Sequence, residues 1–490
     1  MKMGRLMKLC GVFTVLGAGL AACADTAEDS DAKQQAAQTW ITMPDKSKLL
    51  EQGGDIQGIP ADENSGETNA IAIDPTKTYQ QIDGFGASLT DSSAWLIANK
   101  LSGEQRAELM IKLFDHDEGI GMSYLRLPVG ASDFALSSYT YDDVPAGETD
   151  YPLARFSISH DKEYILPVLK QARTLNPDLR IMASPWSAPA WMKTSESLIG
   201  GSLKPEAYEV YANYLALFLE AYEAEGIPID ALTPQNEPHH VPDGYPGMRM
   251  EAFEQATFIK THLGPVLEER GLHTKIVIWD HNWDEAYYPL TVLNDPEANR
   301  YIAGSAFHGY AGDVASQSQV HDAFPDKAIY FTESSGGEWA TDFGGNLKWD
   351  MQNLIIGATR NWARTVLKWN LALDEQHGPQ NGGCQDCRGI VTVNQQSGEV
   401  TLNEEYYAFG HASKFVKSGA YRIASSGMEE GALSHVAFRN PDGAIVLVAF
   451  NTAQTEASFD VRLGDQAYPV RLPAGAAATY VWPAFLPTGL

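Results

Sequence analysis

Cysteine is scarce in this chain, four in 490 residues, and basic residues are outnumbered, 35 against 63 acidic, for a formal net charge of −28. So acidic a chain is a poor candidate for binding nucleic acid or anionic lipid headgroups, and a neutral substrate suits it. Two of the four cysteines, Cys384 and Cys387, stand in a Cys-x-x-Cys pair. A zinc site would need two more ligands, and no second cysteine pair or His-x-x-x-His spacing supplies them. A redox motif would open a helix, whereas this pair lies among glycines. A local disulfide in an oxidising compartment is the reading these residues favour. No metal and no organic cofactor is implied.

A long apolar run is also missing at the N-terminus. Leu9–Ala22 is 14 residues, short of the roughly 20 that cross a bilayer as a helix. Preceded by Lys2, Arg5 and Lys8, it reads as a secretory signal peptide, residues 1–22. Leu20-Ala21-Ala22-Cys23 resembles the lipobox of bacterial lipoproteins, which implies cleavage before Cys23 and lipid on it. The polar stretch 23–39 then reads as a tether. The expected location is the cell envelope, lipid-anchored, or the exterior.

The chain has an abundance of alternating short apolar runs and helix-length segments. Glu206–Glu225 places Tyr211, Tyr214, Leu215, Phe218, Leu219 and Tyr222 on one helical face, and Gly226 ends it. Strands are expected at Gln81–Gly86, Met122–Leu127, Leu179–Ala183, Ile227–Thr233, Lys275–Trp279, Ile302–Phe307, Ala328–Thr332 and Thr365–Lys368. Eight such units predict an α/β fold, a (β/α)8 TIM barrel. Catalytic residues of such barrels gather at the C-terminal strand ends. Here those ends carry Arg126, Trp186, Asn236 with Glu237, Asp280, His308 with Tyr310, Glu333, and Trp369 with Asn370.

Glu237 and Glu333 are 96 residues apart, three units of about 32 each, which sets them on strands four and seven across the barrel mouth. Cleavage of a glycosidic bond needs two carboxylates, one to protonate the departing oxygen and one to attack or activate water. The bland alternative, two solvated loop charges, fits poorly after Thr-Pro-Gln-Asn and Tyr-Phe-Thr.

Seven ordered blocks carry a wider likeness: Gln81–Ser88, Leu125–Pro128 through Asp133 and Tyr141, Ala183–Lys193, Gln235–Pro238, Thr332–Ser334, Trp369–Leu373 and Gly410–Phe415. On these the chain resembles glycoside hydrolase family 30, which includes glucosylceramidases and β-1,6-glucanases. The resemblance implies a retaining β-glycosidase with Glu237 as acid/base, held neutral at rest by a raised pKa, and Glu333 as nucleophile. It implies that Arg126 and Tyr310 support Glu333, that Asn236 bonds the sugar 2-hydroxyl, and that Asp133 and Trp186 hold outer hydroxyls. Trp369 would form the floor, and His308 would support the site through hydrogen bonds. It further implies an accessory β-sandwich made by the C-terminal region and strands preceding the barrel. The expected domains are 40–80 for those first strands, 81–415 for the barrel and 416–490 for the sandwich. The segment Gly378–Val391 looks like the loop of bacterial β-1,6-glucanase-like members, which favours a β-glucan as substrate over glucosylceramide or another β-glucoside. A glycan-binding surface lipoprotein without catalysis is the alternative of another class.

Overall fold

In a computed structural model that describes residues 36–61, 69–428 and 433–483, eight parallel strands close on themselves. They are Gly84–Ser88, Tyr124–Val129, Arg180–Pro185, Ala231–Leu232, Lys275–Asn282, Ile302–His308, Ala328–Glu333 and Ala363–Asn370. This is the expected barrel, with its bounds moved. The first strand starts at Gly84, because Gln81 ends the preceding strand. The fourth shrinks to two residues, bracketed by Pro228 and Pro234, whose rings cannot donate to a ladder. The long helix runs Tyr208–Ala224 after a single tight turn, with all six expected apolar residues buried and Gly226 at φ +80°.

Side chains alternate along a strand with period two, and the barrel interior shows it. Tyr124, Met182, Ala231, Val277, Ala306, Tyr330 and Leu367 form one apolar layer inside. Two residues further along the chain stand Arg126, Ser184, Thr233, His308, Thr332 and Trp369. The interior therefore changes from apolar to polar in a single step towards the mouth.

A ten-stranded sheet accompanies the barrel. Its strands come from both sides of the barrel sequence. Gln38–Thr42 pairs with Ala477–Trp482, and Ala70–Gln81 runs between Tyr421–Ser426 and Ala457–Leu463. Strand Gln38–Thr42 begins two residues inside the segment read as tether, and Ala37 before it is already buried. Alternation again explains how the parts join. In Ile445–Asn451, Ile445, Leu447 and Ala449 face the sandwich core, whereas Val446, Val448 and Phe450 join the large cluster that packs the barrel. Every residue of that strand is buried, so the sheet has an apolar layer on both faces and docks on the barrel as part of folding.

The leader, the lipobox and Cys23 lie outside the described residues. Among the described residues no helix is long and apolar enough to cross a membrane.

Candidate active site

The polar layer at the mouth is organised around a residue for which the sequence suggested no role. At the fifth strand the inward position two after Val277 would be Trp279. Instead Trp279 and Asp280 both adopt left-handed backbone, φ +72° and +64°, and the pairing with the sixth strand slips there. This bulge turns Trp279 outward against Tyr288 and His239 and brings Asp280 inward. The fully buried Asp280 carboxylate then accepts from Arg126 Nη2 (2.8 Å), Ser184 (2.7 Å), Thr233 (2.8 Å) and Thr332 (2.7 Å), and pairs with His308 Nε2 (3.1 Å). Burial alone would raise its pKa, but Arg126 and His308 outweigh burial and hold it well below the usual carboxylate range.

Arg126, also fully buried, fans across the site. Its Nη1 donates to Glu333 Oε2 at 2.5 Å and its Nη2 to Asn236 Oδ1 at 2.6 Å. Its guanidinium lies 4.9 Å from the Trp186 ring and 5.6 Å from that of Trp369. The two indoles stack on each other at 5.0 Å. Tyr310 donates its hydroxyl to Glu333 Oε1 at 2.9 Å, although its ring is 46% exposed at the rim.

Glu237 sits just past the fourth strand on strained backbone, φ +42°. Neighbouring strands hold it there: Asn236 N–H donates to the Pro185 carbonyl at 2.8 Å and Glu237 N–H to that of Asp280 at 3.0 Å. Its Oε1 is 3.0 Å from His308 Nδ1 and 3.8 Å from His281 Nε2.

These side chains enclose a cavity of about 400 Å³. Asp133, Trp186, Asn236, Glu237, Tyr310, Glu333 and Trp369 line it, with Arg126 and His308 directly beneath through the bonds just given. Cys384 and Cys387, joined to each other, form part of its wall. His240, Tyr245, His281, Asn282 and Trp339 also line it and were not singled out in the sequence. Only His240 had a visible signal, as its neighbours follow Asn-Glu-Pro directly.

Glu237, His308 and Glu333 each bring one atom within 4.8 Å of the others. Such a trio has the donors of a cation site, but Arg126 already supplies a positive charge to Glu333, and Tyr310 and Asp280 take the remaining contacts. The set fits a group that shares protons. Burial works against charge on His308, but Glu333, Asp280 and Glu237 override it and lift His308 to about 9. Burial would likewise raise Glu237, but the bond to His308 and its charge prevail and bring it down to about 2. Burial raises Glu333. The bond to His308 and its charge thus pull Glu237 in the direction opposite to the raised value expected of a resting acid. His281, in contrast, is pressed down to about 4 by burial. Asp133 is pushed well above its ordinary value by burial and by the charges of Glu333 and Glu237.

A closed eight-stranded barrel with two carboxylates at its C-terminal mouth and stacked indoles beside them defines a barrel glycoside hydrolase. The comparisons narrow that class. The family model for the glycosyl hydrolase family 30 TIM-barrel domain matches residues 82–416, and the model for that family's β-sandwich domain matches residues 419–480. The chain belongs to glycosyl hydrolase family 30. It is 33% identical over 468 residues to the endo-1,6-β-D-glucanase neg1 of Aspergillus fumigatus, covering 89% of this chain and 92% of that one. It is 34% identical over 401 residues to the putative glucosylceramidase 2 of Caenorhabditis elegans, covering 78% and 76%. A solved endo-β1,6-glucanase superposes with a TM-score of 0.86 at 33% identity, over 91% of this chain and 99% of the other.

Proposed function

We propose that the protein is a retaining hydrolase of β-1,6-linked glucan, acting outside the cytoplasm from a lipid anchor at Cys23. The observation that carries the reaction type is the short spacing of Glu237 and Glu333, with carboxylate oxygens within 4.8 Å. Retaining enzymes keep their carboxyls about 5–5.5 Å apart, and inverting ones about 6.5–9.5 Å, to admit a water. Glu333 attacks the anomeric carbon and forms a glycosyl ester while Glu237 delivers a proton to the departing glycosidic oxygen. Glu237 then takes a proton from water, which attacks the same carbon and frees Glu333.

The electrostatics favour that order. At rest the proton lies on His308, 3.0 Å from Glu237, and the Glu333 charge is a principal force holding it there. As Glu333 forms its ester it loses that charge. His308 and Glu237 then hold the proton less tightly, and it moves to the leaving oxygen. Arg126 and Tyr310 orient Glu333, and Asn236 bonds the 2-hydroxyl. Asp133 and the Trp186 indole hold outer hydroxyls over the Trp369 floor. The likeness to endo-1,6-β-glucanases across most of both chains supports the linkage, and Leu20–Cys23 supports the anchor.

The test is release of reducing sugar from β-1,6-glucan by the protein beginning at Ala24, with Glu333→Gln beside it. The expected result is release that falls roughly ten-thousand-fold in the variant. Cleavage of an aryl β-glucoside with none of the glucan would overturn the substrate and leave the mechanism, pointing to glucosylceramide or another β-glucoside. Binding without turnover, unchanged by Glu333→Gln, would overturn both. For the anchor, Cys23→Ala should move the full chain from the membrane to the soluble fraction.

A further inference from the structure

Beside the carboxylate cavity lies a second and larger one, of about 740 Å³. Tyr310, Ser335 and Trp339 line both, so the two adjoin across a shared wall. The second is floored by charged groups that the reaction does not use. Lys368, turned outward from the eighth strand, pairs with Asp350 at 2.8 Å, and Arg388 pairs with Glu405 at 2.8 Å. Glu404 is left over. It is only 5% exposed, yet neither of its carboxyl oxygens has a hydrogen-bond partner among the described residues, and Asp350 Oδ2 also lacks one. A buried polar group without a partner is costly and rare in native proteins, so one that lines a cavity points to something it receives there.

The walls differ in character from the floor. Trp339 is 57% exposed and Trp349 39%, an unusual display for indoles. Trp339 is held in place: its ring lies on Gly337, where a Cβ would meet it at 2.0 Å. Lys368 Nζ sits 5.7 Å from the Trp349 ring centre. Burial, with the charges of Asp350 and Glu405 adjoining, pushes Glu404 well above the ordinary carboxyl range. Lys368 with Asp350 and Arg388 with Glu405 are matched pairs, which leaves the floor one unpaired carboxyl, that of Glu404, in a cavity also lined by two exposed indoles. A sugar ring carries the matching chemistry, hydroxyls on its rim and C–H groups on its faces.

We propose that this second cavity is a saccharide subsite, which takes a further glucosyl unit of the same substrate chain between Trp339 and Trp349 and over Glu404. Its size lies within the range of roughly 300–1,000 Å³ typical of ligand pockets. Continuity with the reacting cavity through Tyr310 and Trp339 argues for another ring of one chain over an unrelated ligand. The inference rests on the glucan reading above.

The experiment measures kcat/KM for the whole chain on β-1,6-linked gluco-oligosaccharides of increasing length and on an aryl β-glucoside, in the wild type, Trp349→Ala and Glu404→Gln. The expected result is that the wild type gains with length and that each variant loses about tenfold on the longer chains, mainly through KM, with a loss that grows with length. A loss of equal size on the aryl glucoside would mark a structural role and overturn the subsite. So would wild-type length dependence in Trp349→Ala, a change at an exposed ring that decides the matter even where Glu404→Gln fails to fold. If the wild type cleaves the aryl glucoside and no β-1,6 chain, the glucan reading fails and the inference falls with it. If the wild type cleaves the chains and the variants do not differ from it, the subsite alone fails.

Discussion

His308 and His411 are both fully buried, yet one is lifted to about 9 and the other driven down to about 3. Burial opposes charge on each. The difference lies in what they face. His308 stands at the barrel mouth among Glu237, Asp280 and Glu333, which pay for its charge. His411, on the helix Glu404–Ser413, stands where the barrel meets the sandwich, between the Thr479 and Thr42 hydroxyls at 2.9 Å each. Hydroxyls satisfy a neutral ring and bring no opposite charge to offset a protonated one, so burial prevails there. The same contrast runs through both regions. The mouth holds left-handed Glu237, Trp279 and Asp280, and a buried Arg126 whose Nε lacks a partner among the described residues. The seam holds Val446, Val448, Phe450 and paired threonines. Charge is concentrated where the carboxylates and Arg126 meet at the mouth, and the contacts of His411 in the seam are with uncharged hydroxyls.

The comparison breaks most severely if its charged centre is removed. In Asp280→Asn the amide would turn N–H groups towards donors, and Arg126 and His308 would lose their shared counter-charge. The expected outcome is a fall in kcat/KM of roughly a hundredfold or more and a destabilisation of about 3–5 kcal/mol, the usual range for breaking a buried ion pair. Turnover on an aryl β-glucoside and thermal melting read the two effects. Wild-type activity in this variant would mean that Asp280 is a packing residue.

A pH series sharpens the contrast with smaller changes. His308 titrates at about 9 folded against 6.5 in the reference state. Its contribution to stability is therefore fully present below pH 6.5 and is lost as the pH rises through about 9. Activity should decline on the same alkaline limb, and Asp280→Asn should move that limb to lower pH. His411 has the opposite sign. With a folded value of about 3 against 6.5, it is neutral in both states above pH 6.5 and has no effect there. As the pH falls from 6.5 towards 3 the unfolded chain takes up a proton that the folded chain refuses, and stability is lost. His411→Gln should melt lower near neutrality, through its weakened threonine contacts, and lose less than the wild type between about pH 6.5 and 4. A parallel acid decline in both proteins would show that His411 does not carry this term.

Much of the mouth was legible because two signals coincide there: a strand-length apolar run and a polar residue at its end. Glu333 after Tyr330-Phe331-Thr332 is such a case. Asp280 stood at a strand end too, but its role depends on a bulge that turns Trp279 outward, and nothing in Ile-Trp-Asp-His announces left-handed backbone. The proton on His308 was invisible for a related reason, since it depends on three carboxylates from three different strands. In the sandwich, Pro469 interrupts the alternation of Gln466–Leu472, which blurs the strand signal; the structure pairs that proline with Asp460. Lys368 read as an ordinary strand residue, and only the packed helix layer reveals its partner Asp350.

The smallest expected effect tests whether the wall of the mouth shares the character of its centre. The Cys384–Cys387 bond closes a very short loop, so its entropic contribution to stability is at most about 2 kcal/mol. Its position matters more. Cys387 pairs with Gly337 in a short antiparallel ladder, and Asn381 N–H donates to the Asp133 carbonyl at 2.6 Å. A Cβ on Gly383 would meet Asp133 at 2.6 Å, so this loop lies tightly along the side of the cavity that holds Asp133. The bond thus fixes a wall that packs on Asp133, the residue proposed to hold the sugar, and takes no part in the hydrogen bonds of Glu237 and Glu333 given above. Cys384→Ser with Cys387→Ser should lower the melting temperature by only a few degrees and raise KM a few-fold, with kcat nearly unchanged. A fall in kcat comparable to that of Asp280→Asn would show that the wall and the charged centre act as one unit. The division between a strained, charged centre and a supporting surround would then have to be redrawn to include the loop.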